Sequence, residues 1–311
     1  MRLGIIGGAG LLGATTAFYT AASNLVDEIV LYDVKDNHAM SHAMDIDQAV
    51  SEFSSTKVSV GAFNDLADCE VILQTAGIPE KSASSRTEYL DGNIEIIKEI
   101  AKKMKAWKTS PIVISASNPV DVLNYKMCEF TEFSSEKVIG FSRNDTLRLK
   151  WATAKEIGIP ASQIDGLVIG EHGENQVPLF SSLKMRSSND QIALSEKQQR
   201  NILKCVKTWF MDYQALNSGR SSGWTSGIGL FNVIRHVIDD NEEIIPCSVI
   251  PSGEYGLSGL SIGLPVKLGK TGVRKIIEID LTEMEKKELT DAADKIIHSI
   301  MSVSKEGATH G

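Results

Sequence analysis

The block that most constrains the fold of this chain is its first thirty-three residues. A β-prone run at residues 3–6 leads into the glycine-rich loop Gly7-Gly8-Ala9-Gly10-Leu11-Leu12-Gly13, and a helical stretch follows to about residue 22. A second β-prone run at residues 28–32 ends at Asp33. Glycines in such a loop permit a tight turn and a close approach of the backbone to a ligand. This order of segments predicts the opening βαβ unit of a doubly wound parallel sheet.

The glycine loop itself predicts a dinucleotide site. Gly8, Gly10 and Gly13 satisfy the GxGxxG pattern. Gly7, Gly10 and Gly13 satisfy the related pattern GxxGxxG. Both patterns direct backbone N–H groups and a helix N-terminus toward a pyrophosphate. Asp33 follows 20 positions after Gly13, where a carboxylate can accept both ribose hydroxyls and repels a 2′-phosphate. The pattern therefore favours NAD over NADP, although an aspartate at a strand end can also serve as a turn or capping residue.

The alternation of strands and helices continues to about residue 140 and then changes character. Before that point, further strands are predicted at residues 57–60, 71–74, 112–114 and 137–139, and helices at 37–53 and 87–107. Beyond it, helices at 145–157, 195–217 and 281–304 alternate with strand-like runs at 167–169, 179–183, 243–249, 260–264 and 274–279. We therefore expect an α/β fold, with a dinucleotide-binding Rossmann domain at residues 1–143 and a mixed α+β substrate domain at residues 144–311.

Composition excludes several classes of function. The net charge of −8 and the isoelectric point near 5.4 argue against nucleic acid as the main partner. No apolar run approaches the ~20 residues that span a bilayer, and the chain enters a strand without a signal-peptide layout. The four cysteines are scattered without a CxxC pair, so we expect free thiols, no metal site and a cytoplasmic protein.

A histidine at the end of a strand is the candidate acid/base group. The apolar run at residues 167–169 stops abruptly at Gly170-Glu171-His172-Gly173. Flanking glycines let the backbone turn and let a ligand approach, and histidine exchanges a proton near neutral pH more readily than other side chains. A lone loop histidine is more often a structural residue, so its assignment depends on the residues that accompany it.

Six ordered blocks resemble those of the NAD-dependent lactate/malate dehydrogenase family, over essentially the whole chain. The blocks are the glycine loop with Asp33, Thr75-Ala76-Gly77-Ile78-Pro79 with Arg86, Ser117-Asn118-Pro119-Val120, Asp145-Thr146-Leu147-Arg148, Gly170-Glu171-His172-Gly173 and Gly223-Trp224-Thr225-Ser226. The resemblance implies hydride transfer between NAD and a small (S)-2-hydroxy or 2-oxo acid. It also implies a homodimer or homotetramer.

The resemblance assigns a role to each residue of the candidate catalytic group. His172 would exchange the hydroxyl proton of the substrate, and Asp145 would hold the other imidazole nitrogen and so set the tautomer. Arg148 would bind the substrate carboxylate as a bidentate fork. Arg86, at the end of a mobile lid, would stabilise negative charge on the reacting oxygen.

The resemblance also implies the remaining binding positions. Asn118 would contact cofactor and substrate oxygen, and Thr225 would line the substrate pocket, although both are also plausible as turn or cap residues. The cofactor positions are Gly7, Gly8, Gly10, Leu11, Leu12, Gly13, Asp33, Thr75, Ala76, Gly77, Asn93, Ser117 and Asn118.

The sequence departs from the family at the position that selects the substrate, six residues before Arg86. Lactate enzymes carry glutamine there and malate enzymes carry arginine, whereas this chain has Glu80. A carboxylate there would repel the second carboxylate of malate by roughly 3–4 kcal/mol at ~4–5 Å and an effective dielectric near 20. A slip of one residue would instead present Lys81, which can receive a dicarboxylate. Arg143 is a further cation near the site, and Asn144 replaces a usual leucine.

Three functional hypotheses follow. The favoured one is a 2-hydroxy acid dehydrogenase, which includes malate dehydrogenase proper if Lys81 or Arg143 binds the second carboxylate. The second is a catalytically silent NAD-binding protein, against which the presence of Arg86, Asp145, Arg148 and His172 argues. The third, an NAD-dependent glycosidase, requires a cysteine–histidine metal site, and no cysteine lies near His172 in the sequence.

Overall fold

A parallel sheet forms the N-terminal half of the protein in the computed structural model, which describes residues 1–78, 86–219 and 222–306. Its strands are β1 (Arg2–Ile6), β2 (Glu28–Tyr32), β3 (Lys57–Val60), β4 (Val71–Gln74), β5 (Ile112–Ser115) and β6 (Val138–Gly140). They pair in the order β3-β2-β1-β4-β5-β6. The helices are α1 (Leu11–Ala22), α2 (Asp36–Val50), α3 (Arg86–Lys105) and α4 (Val120–Thr131). The doubly wound sheet predicted from the sequence is confirmed.

The central strands are buried along almost their whole length because helices cover both faces of the sheet. Every residue of β4 and β5 is buried, and β1 is buried from Leu3 onward. Continuous rather than alternating burial is the pattern expected of parallel strands. The strand ends that carry polar residues therefore all meet at one edge, where their loops form the site.

The C-terminal half is an antiparallel sheet wrapped by long helices. Its elements are α5 (Arg143–Ile157), β7 (Ile164–Asp165), β8 (Val168–Gly170), β9 (Gln176–Pro178), β10 (Lys184–Met185), α6 (Glu196–Ala215), α7 (Trp224–Asp239), β11 (Ile244–Val249), β12 (Ile262–Gly269), β13 (Gly272–Ile276) and α8 (Glu283–Glu306). Strands β11, β12, β8 and β9 pair in that order, β13 joins β12, and β7 pairs with β10. Strand β11 also pairs with β6, at Ser248 and Gly140, so one sheet runs through both halves.

One predicted strand is wrong. Residues 179–183 contain a short 3₁₀ turn, Phe180–Ser182, instead of a strand. Leu179 and Leu183 are both fully buried, and a spacing of four residues puts two side chains on one side of a strand as well as on one side of a helical turn, so the burial pattern does not distinguish the two. Ser181 in this turn donates to the Glu285 carboxylate of α8 at 2.8 Å, which the strand prediction did not anticipate. The helices α4 and α7 were also missing from the sequence-based predictions.

The two halves pack closely where α7 crosses α1. A Cβ atom on Gly223 would lie 2.5 Å from Leu11 Cγ, and one on Gly227 would lie 2.4 Å from Thr15 Cγ2. Real carbon atoms do not approach so closely, so glycine at both positions permits this contact. The contact brings the first turn of α7 against the first turn of α1, next to the glycine loop.

In the ranges that the structure describes, no helix is both long enough and apolar enough to cross a membrane. The four cysteines are free thiols, and two of them, Cys69 and Cys247, are buried. Within the same ranges, no group of three or more histidine, cysteine, aspartate or glutamate side chains has an arrangement suited to a metal ion.

Candidate active site

His172 and Asp145 form a hydrogen-bonded pair where β8 meets α5. Gly170 ends β8 with φ of +86°, and a Cβ there would lie 2.9 Å from the Asn175 carbonyl oxygen, so the sharp turn requires glycine. The turn brings His172 Nδ1 to 2.6 Å from an oxygen of Asp145, in the first turn of α5. Nε2 of His172 has no hydrogen-bond partner among the described residues, and the side chain is 16% exposed. One nitrogen is therefore held, and the other is free for a substrate.

The surroundings of His172 favour its protonated form. Burial alone would lower the pKa of His172, and the charge of Arg148 acts in the same direction. The charge and hydrogen bond of Asp145, together with the charge of Asp121, outweigh both and raise the pKa above its ordinary value. An imidazole of this kind can hold a proton near neutral pH and give it to a reacting oxygen.

Asp121 is a second carboxylate at this site that the sequence analysis did not single out. It lies in the first turn of α4, is 3% exposed, and accepts the backbone N–H of His172 at 2.7 Å. Burial raises the pKa of Asp121 to about 6, although hydrogen bonds from Ser248 and from His172 N–H partly oppose that rise. The available signal was its position immediately after the Asn118-Pro119-Val120 block.

Arg148 lies one turn after Asp145 on α5, on the same side of the site. Its Nη1 is 3.8 Å from an oxygen of Asp145, and its side chain is 14% exposed. The guanidinium lies 4.8 Å from the centre of the Trp209 ring on α6, and that ring stacks on Tyr213 at 5.3 Å. Stacking covers one face of the guanidinium and leaves its edge available to a carboxylate. Trp209 and Tyr213 are also residues that the sequence analysis missed.

The glycine loop joins β1 to α1 in a conformation that larger residues would not permit. Gly7 has φ of +93°, and a Cβ there would lie 2.5 Å from Thr75 Oγ1. On Gly13, a Cβ would lie 2.5 Å from the carbonyl oxygen of Gly7. Helix α1 begins at Leu11, directly after this loop. The N–H groups of Leu11, Leu12 and Gly13 lie in its first turn, where an anion can bind.

Asp33 supports this loop from the end of β2. One of its oxygens accepts the N–H of Ala9 at 3.0 Å, and the other accepts the N–H of Lys35 at 2.9 Å. The turn role considered from the sequence is thus present. Each carboxylate oxygen still has a further lone pair that a hydroxyl group can use.

A cavity of about 370 Å³ opens beside Gly7 and Asp33. Its apolar walls include Tyr32, Phe63, Ile96 and Ile100. An apolar slot with a carboxylate and a glycine loop at its edge has the chemistry that an adenosine and its phosphates require. The cavity therefore fits the adenine end of a dinucleotide.

The loops after β4 and β5 are tied together by Asn93, which is 1% exposed. Its Oδ1 accepts the N–H of Ile78 at 2.7 Å, and its Nδ2 donates to the carbonyl oxygen of Asn118 at 3.0 Å. Ser117 Oγ donates to the Ala76 carbonyl oxygen at 2.6 Å. The Asn118 side chain, by contrast, is exposed. These contacts bring the predicted residues Thr75, Ala76, Gly77, Asn93, Ser117 and Asn118 into one group beside the glycine loop.

The structure also locates Thr225, which lies half-buried in the first turn of α7. One turn later, a Cβ on Gly229 would lie 2.8 Å from the Phe141 ring, and that ring centre is 6.4 Å from His172. Thr225 and Gly229 share a face of the helix because they are four residues apart. The predicted pocket residue is therefore on the side of α7 that faces Phe141.

Arg143 lies away from this group. Burial lowers the pKa of Arg143, and the charges that act on its guanidinium are those of Arg186, Asp165 and Glu243. Arg143 precedes Asp145 by two positions, which places the two side chains about 160° apart around α5. Its neighbour Asn144 is 8% exposed, and Asn144 Oδ1 has no hydrogen-bond partner among the described residues. Glu80 and Lys81 lie outside the described residues, and α3 begins at Arg86, whose side chain is not described.

Comparison with known proteins agrees with this geometry. A model of the lactate/malate dehydrogenase NAD binding domain matches residues 1–140, and a model of the lactate/malate dehydrogenase alpha/beta C-terminal domain matches residues 143–306. The chain is 30% identical to the malate dehydrogenase of Haloarcula marismortui over 298 residues, which cover 95% of this chain and 97% of that protein.

Solved structures of the same kind superpose on nearly the whole chain. The malate dehydrogenase of Salinibacter ruber is 28% identical with a TM-score of 0.90, over 98% of each chain. The lactate dehydrogenase of Cryptosporidium parvum, complexed with lactic acid and nicotinamide adenine dinucleotide, is 26% identical with a TM-score of 0.88, over 97% of this chain and 98% of that one. With its glycine loop, its histidine–aspartate pair and both domain matches, the chain belongs to the lactate/malate dehydrogenase family and is an NAD-dependent 2-hydroxy acid dehydrogenase.

Proposed function

We propose that this enzyme oxidises a small (S)-2-hydroxy acid reversibly, with His172 as the group that takes and returns the hydroxyl proton. The observation that carries this role is the arrangement of the imidazole, with Nδ1 held 2.6 Å from Asp145 and Nε2 left without a partner among the described residues. A hydrogen bond at Nδ1 sets the tautomer in which Nε2 is the basic nitrogen.

In the oxidation direction, neutral His172 accepts the hydroxyl proton at Nε2, and Asp145 stabilises the resulting imidazolium. Arg148 binds the substrate carboxylate through two parallel hydrogen bonds and so fixes the carbon that carries the hydroxyl group. Arg86 would stabilise negative charge on the reacting oxygen, as the family resemblance implies. In the reduction direction, protonated His172 donates the proton, which its raised pKa favours near neutral pH.

The residues around the glycine loop fit NAD. The first turn of α1 binds the pyrophosphate, Asp33 accepts ribose hydroxyls, and the apolar cavity walls hold the adenine. Asn118 and Thr225 complete the pocket on the substrate side. When bound, NAD supplies the acceptor of the hydride, and its reduced form supplies the donor.

The substrate we favour is a 2-hydroxy acid without a second carboxylate. Support comes from Glu80, whose charge would repel a dicarboxylate, and from Arg143, whose side chain lies about 160° around α5 from that of Asp145 because two positions separate them. Malate is the second candidate, because full-length relatives at 30% identity are malate dehydrogenases and because Lys81 can receive a dicarboxylate if the lid is shifted by one residue.

The test is the rate of NADH oxidation across a panel of 2-oxo acids that includes pyruvate, oxaloacetate, longer aliphatic acids and polar or amino-bearing acids. We expect a preference for one monocarboxylate, loss of turnover in His172→Asn with NADH binding retained, and a gain of oxaloacetate reduction in Glu80→Arg. A preference of the wild-type enzyme for oxaloacetate would establish malate instead. Bound NADH with no turnover on any acid would favour a silent NAD-binding protein.

We also propose that the protein is a cytoplasmic homodimer or homotetramer, with its domain boundary between residues 143 and 144. Helices α2 and α7 both contact α1, and together these helices expose the large apolar side chains Phe18, Met40, Met44 and Trp224. A second copy of the chain would cover this surface. Light scattering on the protein eluted from a size-exclusion column should give a mass of two or four monomers. Met44→Glu should reduce that mass toward the mass of one monomer.

A further inference from the structure

The main chain of His172 is held by a carboxylate from the other half of the molecule. Asp121, in the first turn of α4, accepts the His172 N–H at 2.7 Å through Oδ2. Asp145 holds the imidazole of the same residue from α5. The histidine thus has two carboxylate contacts, one on its backbone and one on its ring.

A buried network holds Asp121 in place. Ser248 Oγ on β11 donates to Asp121 Oδ1 at 2.5 Å and lies 2.8 Å from Ser261 Oγ. Asn124, one turn after Asp121 on α4, donates through Nδ2 to Ser261 Oγ at 2.9 Å. Asp121, Asn124, Ser248 and Ser261 are each at most 3% exposed. Such a network restricts the carboxylate to one orientation.

We propose that Asp121 is a positioning residue for His172, which fixes the main chain of the histidine relative to the cofactor domain and adds a second negative charge near the imidazole. The inference rests on the proposed acid/base role of His172. Strand β5, the Asn118 loop and Asp121 follow one another along the chain. The carboxylate therefore couples the main chain of His172 to the Asn118 loop, which we place on the substrate side of the pocket.

Burial of the charged Asp121 carboxylate is unfavourable for folding. A role in stabilising the fold therefore does not account for the charge, whereas a role in catalysis can. Burial raises the pKa of Asp121 to about 6, so its ionised form destabilises the fold above that pH relative to a neutral side chain. Besides acting on each other, Asp121 and His172 are affected by nearby charges: Glu171 acts on Asp121, and Asp145 and Arg148 on α5 act on His172. Among these, Asp121 and Asp145 raise the pKa of His172, and Arg148 lowers it.

Two substitutions distinguish the charge of Asp121 from its hydrogen bond. Asp121→Asn keeps an oxygen acceptor for the His172 N–H and can donate to Ser248 Oγ, but it removes the charge. We expect its pH profile for 2-oxo acid reduction to shift to lower pH, with kcat at the plateau within about threefold of wild type. Its Tm near neutral pH should equal or exceed that of wild type. Asp121→Ala removes the acceptor as well, and we expect kcat to fall roughly tenfold or more with the Kd for NADH unchanged.

Ser261→Ala is the matched control, because it alters the far end of the network and leaves both contacts of Asp121. Its pH profile should coincide with that of wild type. An unshifted profile in Asp121→Asn, whatever its Tm, overturns the inference, since a purely structural carboxylate would have no effect on the titration of His172. Should Asp121→Ala fail to fold, Asp121→Asn still decides the question. Turnover retained in His172→Asn would instead overturn the proposed function itself, so the two failures are distinguishable.

Discussion

Among the described residues, His172 and His236 each have a carboxylate neighbour, and they differ in what their nitrogens contact. His236 on α7 has Nδ1 at 2.6 Å from the Asn232 carbonyl oxygen and Nε2 at 3.1 Å from Glu243. His172 has Nδ1 on Asp145 and no partner for Nε2 among the described residues. Both nitrogens of His236 are therefore used within the fold, whereas one nitrogen of His172 is left for chemistry. A carboxylate neighbour alone does not distinguish a catalytic histidine.

The two carboxylates also differ in burial. Asp145 has a side chain that is 4% exposed, whereas that of Glu243 is 71% exposed. Solvent screens the charge of an exposed carboxylate, and a buried one acts more strongly on its partner. The comparison therefore predicts large catalytic effects around His172 and effects on stability alone around His236.

The largest expected effect is that of removing the buried carboxylate. Asp145→Asn should lower kcat about 10²–10⁴-fold, because it loses both the tautomer preference and the stabilisation of the imidazolium. The matched change at the other histidine, Glu243→Gln, should leave kcat within about twofold of wild type. Steady-state kinetics measure both, and equal losses would contradict the distinction between the two histidines.

The next effect concerns stability. His236→Gln should lower the free energy of unfolding by about 1–3 kcal/mol, because the buried imidazole loses its two contacts, with the Asn232 carbonyl oxygen and with Glu243. Denaturant titration measures this loss, and kcat should remain close to that of wild type. A substantial fall in kcat with unchanged stability would place His236 in the catalytic machinery and break the comparison.

A smaller effect is expected at the arginine beside His172. Trp209→Leu removes the ring that covers one face of Arg148, and a cation–π contact of about 0.5–2 kcal/mol corresponds to a rise in KM of roughly 2–30-fold. Because Arg148 binds the carboxylate before and during the reaction, kcat should change little. Trp151 provides the control, because the centre of its ring lies 4.7 Å from a different cation, Lys155 Nζ. Trp151→Leu should leave KM unchanged.

The smallest effect is the pH dependence of stability that arises from His172. Folding raises its pKa, so the folded protein binds the proton more tightly than the unfolded chain does. The stabilisation is present below the unfolded pKa and is lost as pH rises through the folded one. The difference in unfolding free energy between wild type and His172→Gln should therefore be larger near pH 6 than near pH 9. A difference that grows with pH would contradict the direction of the shift.

Local patterns predicted much of the fold and of the site. The runs at residues 28–32 and 71–74 coincide with β2 and β4, because parallel strands covered on both faces are nearly continuous apolar segments, and the run at residues 57–60 coincides with the edge strand β3. The order of the sequence blocks also predicted His172, Asp145 and Arg148 as one group, and these three side chains lie close together in the structure. The strand proposed at residues 179–183 failed because two leucines four residues apart bury equally well in a turn.

The residues that the sequence analysis missed act through long-range contacts. Asp121 touches a backbone N–H that lies 51 positions away, and Trp209 touches a guanidinium on another helix. A side chain that binds a main-chain group or a ring face has no motif of its own, so only the packed structure identifies it.

By itself, the sequence determined the glycine loop, the acidic residue after β2 and the histidine at the end of a strand. These features depend on neighbouring residues, since a positive φ at Gly7 and a sharp turn at Gly170 follow from local sterics. The tertiary structure alone decided that both nitrogens of His236 are bonded while Nε2 of His172 has no partner among the described residues, and it decided which carboxylates are buried. Those properties depend on solvent exclusion and on the contacts between distant segments, and both arise only when the two halves pack together.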